Sequence, residues 1–221
     1  SVAERSPMGI EGTEHVSIAQ KFYIDPIKNL SIETYGTLFF MNSYDLIQDM
    51  TFTQSRDFMT GFKAKYDVKD WFSVHLSMHA DFYDRFKRHE RLDERKKVYK
   101  SCILEPRLTV TSNYFNHHSL IFGIEHTSDE LTSDRFVNRK MTTRALHETE
   151  YFLQDEWIPN THWLLSTGVR TNFSKAFGFM WMPKLAAKYS LNNHWAFRAN
   201  YSMGYRAPSI KELFFNLSLI H

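Results

Sequence analysis

The chain has 221 residues, of which 43% are hydrophobic, 16% aromatic and 24% charged, and its formal net charge is +2. This near balance argues against a nucleic-acid-binding protein, and the absence of any run of about 20 apolar residues excludes a transmembrane helix. The single cysteine, Cys102, excludes an internal disulfide.

Ten segments alternate between apolar and polar residues, as strands with one apolar face do. The clearest early segment covers residues 72–83, and the clearest late one covers residues 195–205. The apolar members, segment by segment, are Val16, Ile18, Phe22 and Ile24; Leu30, Ile32, Leu38 and Phe40; Phe58, Phe62, Ala64 and Tyr66; Phe72, Val74, Leu76, Met78, Ala80 and Phe82; Leu108, Val110 and Tyr114; Leu120, Phe122 and Ile124; Tyr151, Leu153 and Trp157; Trp163, Leu165, Val169 and Phe173; Phe179, Trp181, Leu185, Ala187 and Tyr189; Trp195, Phe197, Ala199, Tyr201, Met203 and Tyr205.

The connections between these segments fall into two kinds. Short turns rich in Asp, Asn and Pro are predicted at 25–29, 67–70, 115–117, 159–161 and 191–193. Long polar loops are predicted at 42–55, 86–97 and 128–146, and one short connection at 174–177. Short turns on one side and long loops on the other are typical of an outer-membrane barrel. The sequence therefore predicts an all-β fold, an antiparallel transmembrane β-barrel segment of about ten strands.

Two features of this chain could carry function without catalysis. The charged run at 87–97 is expected to be a solvated loop, with capture of an anionic ligand as the alternative. His75, His79, Arg170 and Arg198 fall on strand positions opposite the apolar residues, so they are expected to face the barrel lumen. His75 and His79 would lie about 13 Å apart, which is too far to chelate one metal together.

The last predicted strand leads into a corner. Pro208 has no N–H for a β-ladder, and Ser209 precedes Glu212 by the spacing of a capping box. A short helix is therefore expected from residue 210 to about 215, which gives residues 205–208 first of all a structural role.

Several motifs in the second half of the chain resemble the barrel of TonB-dependent outer-membrane receptors. They are LIFGIEH (120–126), YFLQDEW (151–157), GVRTN (168–172), PKLAAKYSL (183–191) and FRANYSMGYRAPSIKELFF (197–215). The Tyr205-Arg206-Ala207-Pro208 stretch is similar to the YRAP box of haem and haemoglobin receptors, and the whole run is most similar to receptors of the Bacteroidetes group. The resemblance implies that residues 1–221 are an internal part of a barrel of roughly 22 strands. The plug domain, its TonB box and the C-terminal strands are expected to lie outside the chain.

The resemblance also implies a function. Such receptors take up a scarce ligand across the outer membrane of Gram-negative cells, powered by a TonB-type protein that acts through the plug. The expected cargo is haem, free or on a haemoprotein, or an iron chelate such as a siderophore, with cobalamin or a glycan as alternatives. No intrinsic cofactor or metal is expected, and the partners are outer-membrane lipid, the energy-coupling protein and the ligand. Tyr205, Arg206, Ala207, Pro208 and His221 are the candidate ligand-binding residues, His221 as a haem-iron ligand or as a solvated loop histidine.

Two other classes of protein share the strand pattern. An outer-membrane barrel enzyme of the protease or phospholipase type would need an acid–base or nucleophilic constellation, and none of the known motifs is present. A soluble β-sandwich binding module would lack both an aromatic girdle and the asymmetry of the connections. We also expect the isolated chain to be unstable in lipid, because an open sheet leaves edge N–H and C=O groups unpaired.

Overall fold

A computed structural model describes residues 11–45, 51–89, 94–136, 140–192 and 194–214, and these form one antiparallel sheet of ten strands. Each strand pairs with its neighbours in the chain, so the spatial order is β1 to β10 and the edges are β1 and β10. The predicted all-β fold with ten strands is confirmed. The strands are β1 Glu11–Ile27, β2 Leu30–Asp45, β3 Thr51–Lys69, β4 Phe72–His89, β5 Glu94–Ser112, β6 His118–Ser133, β7 Thr142–Asn160, β8 Trp163–Ser174, β9 Gly178–Ser190 and β10 Ala196–Ser202.

The register divides the side chains into two faces. On the apolar face, Leu38, Phe58 and Phe82 lie side by side on β2, β3 and β4. These side chains are open, and Leu76 and Leu153 are 45% and 49% exposed. The opposite face, here called the polar face, carries the intervening residues, including Lys63 and Arg170. An apolar face left open in this way is the expected surface of a sheet that faces lipid.

The length of the apolar face matches a bilayer. Its apolar residues on β4 run from Phe72 to Phe82. That is about 33 Å along the strand at ~3.3 Å per residue, or about 25 Å along the membrane normal at a ~40° tilt. Phe58 and Cys102, on the neighbouring strands, lie beside Phe82 in register and mark the same edge.

The strands are longer than the sequence indicated, and the predicted loop lengths were wrong. β2 continues to Asp45, β4 to His89 and β6 to Ser133, all inside segments predicted as long loops. Conversely, β10 ends at Ser202, short of the predicted Tyr205, and Tyr114 lies in a turn rather than in a strand. Backbone pairing does not require apolar side chains, so the ladder continues beyond the level where the alternation stops.

Two ends of the sheet can now be defined by their connections. The turn end carries the connections that follow β1, β3, β5, β7 and β9, and the loop end carries those that follow β2, β4, β6 and β8. The predicted charged loop at 87–97 is mostly strand, with 87–89 in β4 and 94–97 in β5. The two ends of the sheet therefore differ mainly in their strands, which extend further at the loop end than the sequence predicts.

One short helix follows the sheet. α1 spans Ile210–Phe214, as the capping-box spacing predicted. Ile210 is buried against Leu131 and Phe136, and Tyr99 and Leu146 pack around this cluster. Because Tyr99, Leu131 and Leu146 project from the polar face of β5, β6 and β7, the chain folds back over that face after β10. Among the described residues, no helix is long and apolar enough to cross a membrane.

Candidate functional site

The polar face lines an open cavity of about 770 Å³. Its lining comes from eight strands, from Tyr23 on β1 to Arg170 on β8. A single cavity can be bounded by so many neighbouring strands only if the sheet curves around it. The polar face is therefore the concave side, which would face the lumen of a barrel.

Charged side chains on this face are paired within the wall. Oε1 of Glu33 forms ion pairs with two lysines, at 3.0 Å from Nζ of Lys21 and 3.4 Å from Nζ of Lys63. Arg170 contacts Glu150 at 3.1 Å between nitrogen and oxygen. Each pair is partly exposed to solvent, which screens the two charges, so its contribution to stability is small. The remaining polar-face pairs described are Lys65–Asp67 at 3.0 Å and Arg107–Glu125 at 3.5 Å.

Phe152 lies at the centre of one charged group. Its ring covers the backbone of Gly123, the residue opposite it on β6, and a β-carbon at that position would fall inside the ring. The guanidinium carbons of Arg107 and Arg170 lie 4.9 and 5.6 Å from the ring centroid. Glycine thus lets the aromatic ring lie flat on the wall, where it holds two arginines in place.

Tyr35 makes a similar crossing. A β-carbon on Gly61 would lie 2.5 Å from the Tyr35 hydroxyl oxygen, so the tyrosine ring spans β3 over this glycine. Its hydroxyl then lies 2.9 Å from Nδ1 of His79 on β4. His75 lies 3.2 Å from the Ser73 hydroxyl and lines the cavity. The two histidines therefore have separate partners.

The polar face becomes cationic towards β10. Arg198 lies directly opposite Lys188 in the β9–β10 register, and Lys184 lies opposite Ser202. None of these three cations has a carboxylate partner among the described residues. Two like charges in direct cross-strand contact are unfavourable, so this region would bind an anionic group more readily than the paired wall of β1–β8.

A second cavity, of about 420 Å³, opens at the loop end of the polar face. Its aromatic lining includes Tyr83 and Tyr99, whose rings meet edge to face at 5.5 Å between centroids. Arg85 donates to the Tyr83 hydroxyl at 2.8 Å, and Nζ of Lys211 lies 5.2 Å from the Tyr99 centroid. The other charged lining residues are Asp57, Asp81, Lys87, Asp134 and Arg135.

The corner residues build the approach to this cavity. The Ser209 backbone N–H donates to Oε2 of Glu212 at 2.7 Å, and the Glu212 N–H donates to the Ser209 hydroxyl at 3.3 Å. Arg206 contacts Oε1 of Glu212 at 2.7 Å. The Ser209 N–H, then its hydroxyl, lower the pKa of the Glu212 carboxyl below the ordinary glutamate value. The capping box is thus present as predicted.

The predicted site residues are spread over the wall rather than gathered. His75 and Arg170 line the large cavity, and Tyr205 lines a smaller one that Arg170 also borders. Arg198 lies on β10, and Arg206, Ala207 and Pro208 form the connection to α1. His221 lies outside the described residues. The roles of these residues in ligand binding stay predictions.

Sequence reasoning missed the residues that organise the polar face. Phe152, Tyr35 and the anchor Ile210 were not singled out. A glycine inside an alternating strand was the available signal, because Gly61 and Gly123 mark the places where an aromatic ring crosses a neighbouring strand. Among the described residues, no group of three His, Cys, Asp or Glu side chains could hold a metal ion.

Comparisons with known proteins agree with this geometry. Residues 17–219 match the sequence profile of a family described as TonB dependent receptor-like, beta-barrel. The iron-regulated outer membrane virulence protein of Vibrio cholerae is 24% identical over 147 residues, which are 65% of this chain and 21% of that protein. The chain thus spans about a fifth of the length of this curated relative.

Solved structures show the same fold. A mutant of the ferric enterobactin receptor PfeA of Pseudomonas aeruginosa, in complex with enterobactin, superposes with a TM-score of 0.78 at 13% identity, covering 92% of this chain and 35% of that one. The siderophore receptor PirA of Acinetobacter baumannii gives 0.75 at 12% identity, covering 90% and 34%. The chain therefore belongs to the TonB dependent receptor-like beta-barrel family, and its ten strands are part of the wall of an outer-membrane receptor barrel.

Proposed function

We propose that this chain forms one side of an outer-membrane receptor that takes up a ferric chelate. The observation that carries the proposal is the concave polar face. Its large cavity is lined from eight strands, while the opposite face has the length and character of a lipid-facing band. A wall that is polar and concave inside and apolar outside suits a barrel through which a hydrophilic ligand passes.

The loop-end cavity supports an anionic, partly aromatic cargo. Arg135 and Lys211 line it without a carboxylate partner among the described residues, beside the rings of Tyr83 and Tyr99. Arginine and lysine bind anionic oxygens by charge-assisted hydrogen bonds, and tyrosine rings stack on planar groups. The enterobactin bound by the similar receptor and the iron regulation in the name of the Vibrio cholerae relative favour an iron chelate.

Haem is the alternative cargo. The Tyr205–Pro208 similarity favours it, but Arg206 is engaged by Glu212 and His221 lies outside the described residues. A ferric chelate requires no side chain on the iron, whereas bound haem commonly takes an axial ligand such as His. We further propose that a TonB-type protein supplies the energy for uptake, as the family implies.

Uptake of radiolabelled iron would test the proposal in a strain whose only outer-membrane iron receptor is the intact protein carrying this chain. Ferric enterobactin and haemin are supplied separately, with and without a functional TonB. We expect TonB-dependent uptake from ferric enterobactin. Failure with both iron sources, at normal receptor levels in the outer membrane, would exclude ferric enterobactin and haem as cargo, and uptake from haemin alone would replace the chelate by haem.

Binding variants address the loop-end cavity directly. The double variant Arg135→Gln, Lys211→Gln should raise the Kd for ferric enterobactin by about tenfold, equivalent to about 1.4 kcal/mol. Lys140→Gln removes an exposed lysine from the same connection without touching the cavity, so it serves as the control. Equal affinity in the two proteins would rule out a role for this cavity.

A further inference from the structure

The apolar face changes character abruptly at the loop end. Phe58 and Phe82 stack with 6.1 Å between their centroids and close the lipid-facing band. One step further along the same face, Arg56 and Asp84 lie opposite each other, and Lys100 lies opposite Asp84. At a ~25 Å band height, this step lies in the headgroup layer of the membrane rather than in its hydrocarbon core.

A group of cations surrounds one aromatic ring there. Phe86 lies 3.9 Å from the guanidinium carbon of Arg95, 5.2 Å from Nζ of Lys97 and 5.6 Å from the guanidinium carbon of Arg56, measured to the ring centroid. Arg88 borders the same small cavity of about 350 Å³. We call Arg56, Phe86, Arg88, Arg95 and Lys97 the basic patch.

A break in the β4–β5 register places two of these cations on the apolar face. Below it, the even-numbered residues of β5, such as Cys102, lie on that face. Between the pairs Arg85–Tyr99 and Phe86–Lys97 one residue of β5 is skipped, so Lys97 and Arg95 point outwards instead. A bulge that redirects side chains in this way is a common device at sheet rims.

The basic patch has more positive charge than the wall around it neutralises. Asp84 pairs with Lys97 at 2.9 Å. Arg56 and Arg95 have no carboxylate partner among the described residues, and both are exposed. Because they face outwards, they are accessible to anionic groups of the surrounding headgroup layer.

We propose that the basic patch binds the phosphate groups of a phosphorylated glycolipid in the outer leaflet, because the loop end of an outer-membrane barrel faces the cell exterior. Arginine presents a planar fork of donors that matches phosphate, and Arg56 and Arg95 approach one ring from β3 and β5. The acyl chains of the same lipid would lie along Phe58 and Phe82, directly below. The proposal rests on the outer-membrane placement of the barrel and is independent of the cargo, because the patch lies on the opposite face from both ligand cavities.

Native mass spectrometry of the intact, detergent-solubilised receptor tests it, with bis-phosphorylated lipid A as the probe. The double variant Arg56→Gln, Arg95→Gln should lower the affinity for this lipid by about tenfold, and Arg56→Lys, Arg95→Lys should recover part of it. The control is Lys63→Gln, Lys65→Gln, which removes the same charge from the polar face of β3 and should leave lipid binding unchanged. TonB-dependent iron uptake by cells that produce the Arg56→Gln, Arg95→Gln receptor should be unchanged, which separates this test from that of the cargo.

Three results would overturn the proposal. The first is equal lipid affinity of the Gln double variant and its control, with both migrating as folded barrels. The second is equally tight binding of lipid A from which both phosphates have been removed, which would leave only a hydrophobic contact. The third is full displacement of the lipid by inorganic phosphate alone, which would indicate a site for free phosphate.

Discussion

Removing the anchor of α1 should release the corner without unfolding the sheet. Ile210 is 1% exposed and packs against Leu131 and Phe136. Ile210→Ala deletes three carbons, which at ~0.8 kcal/mol each costs about 2.4 kcal/mol, before any cost of the cavity left behind. A five-residue helix has almost no stability of its own. The substitution therefore weakens the docking of α1 on the sheet, and the ratio of docked to undocked helix should fall by about fiftyfold.

Hydrogen exchange of the intact receptor in detergent measures this directly. The Leu213 amide donates to the Ser209 carbonyl at 3.0 Å, so a peptide covering 203–214 reports on the docked corner. Leu213→Ala, at a 39% exposed position of the same helix, is the matched control and should change protection little. If Ile210→Ala and Leu213→Ala exchange at the same rate, α1 is not held by the Ile210 contact and the reasoning fails.

Three more substitutions or conditions probe the rest of the structure. Gly123→Val places a side chain inside the ring of Phe152, and we expect it to destabilise the barrel by about 1–3 kcal/mol in urea unfolding from lipid vesicles. Leu153→Arg puts a cation on the apolar face, where it should cost about 2–4 kcal/mol in the same assay. The lowered pKa of Glu212 stabilises the corner at neutral pH, and this stabilisation should be lost as the pH falls through that lowered value, seen as falling protection of the 209–213 amides after correction for intrinsic exchange.

Each of these predictions has a close control. Gly36→Ala meets its nearest atom at 3.9 Å and should be tolerated, so an equal cost at both glycines would refute the ring-over-glycine packing. Gln154→Arg lies on the polar face next to Leu153, and equal costs there would mean that the two faces are assigned wrongly. Glu212→Gln keeps an acceptor for the Ser209 N–H but cannot titrate, so protection of the corner should no longer depend on pH, and a corner that still loosens in acid would point to another titrating group.

The sequence predicted the architecture well because its signal is local. Alternation along residues 72–82 defines a face whatever the neighbouring strands are, and a Ser-x-x-Glu spacing caps a helix using four adjacent residues. The extent of the strands was less predictable. Backbone pairing at Asp45, His89 and Glu94 depends on what the partner strand does, and polar residues conceal it.

The wall contacts depend on register, which the sequence does not reveal. Tyr35, Gly61 and His79 are separated by 26 and 18 residues, yet they form one contact across three strands. The basic patch shows the same limitation, because a one-residue bulge decides which face Arg95 and Lys97 occupy. The charged run was visible in the sequence, but the face it would serve was not.

The docking of α1 also sets a limit on the shape of the sheet. Only residues 203–209 connect the end of β10 to the helix, and they can span about 25 Å at most when fully extended. The register places Ser202 level with Ile121 on β6, ten residues before Leu131. In a flat sheet Leu131 would therefore lie about 19 Å across the strands and about 33 Å along them from Ser202, which is about 38 Å in a direct line and beyond this reach. Curvature of the sheet shortens the distance between Ser202 and Leu131. The Ile210 contact therefore holds the end of β10 close to β6, and it is lost if the sheet flattens.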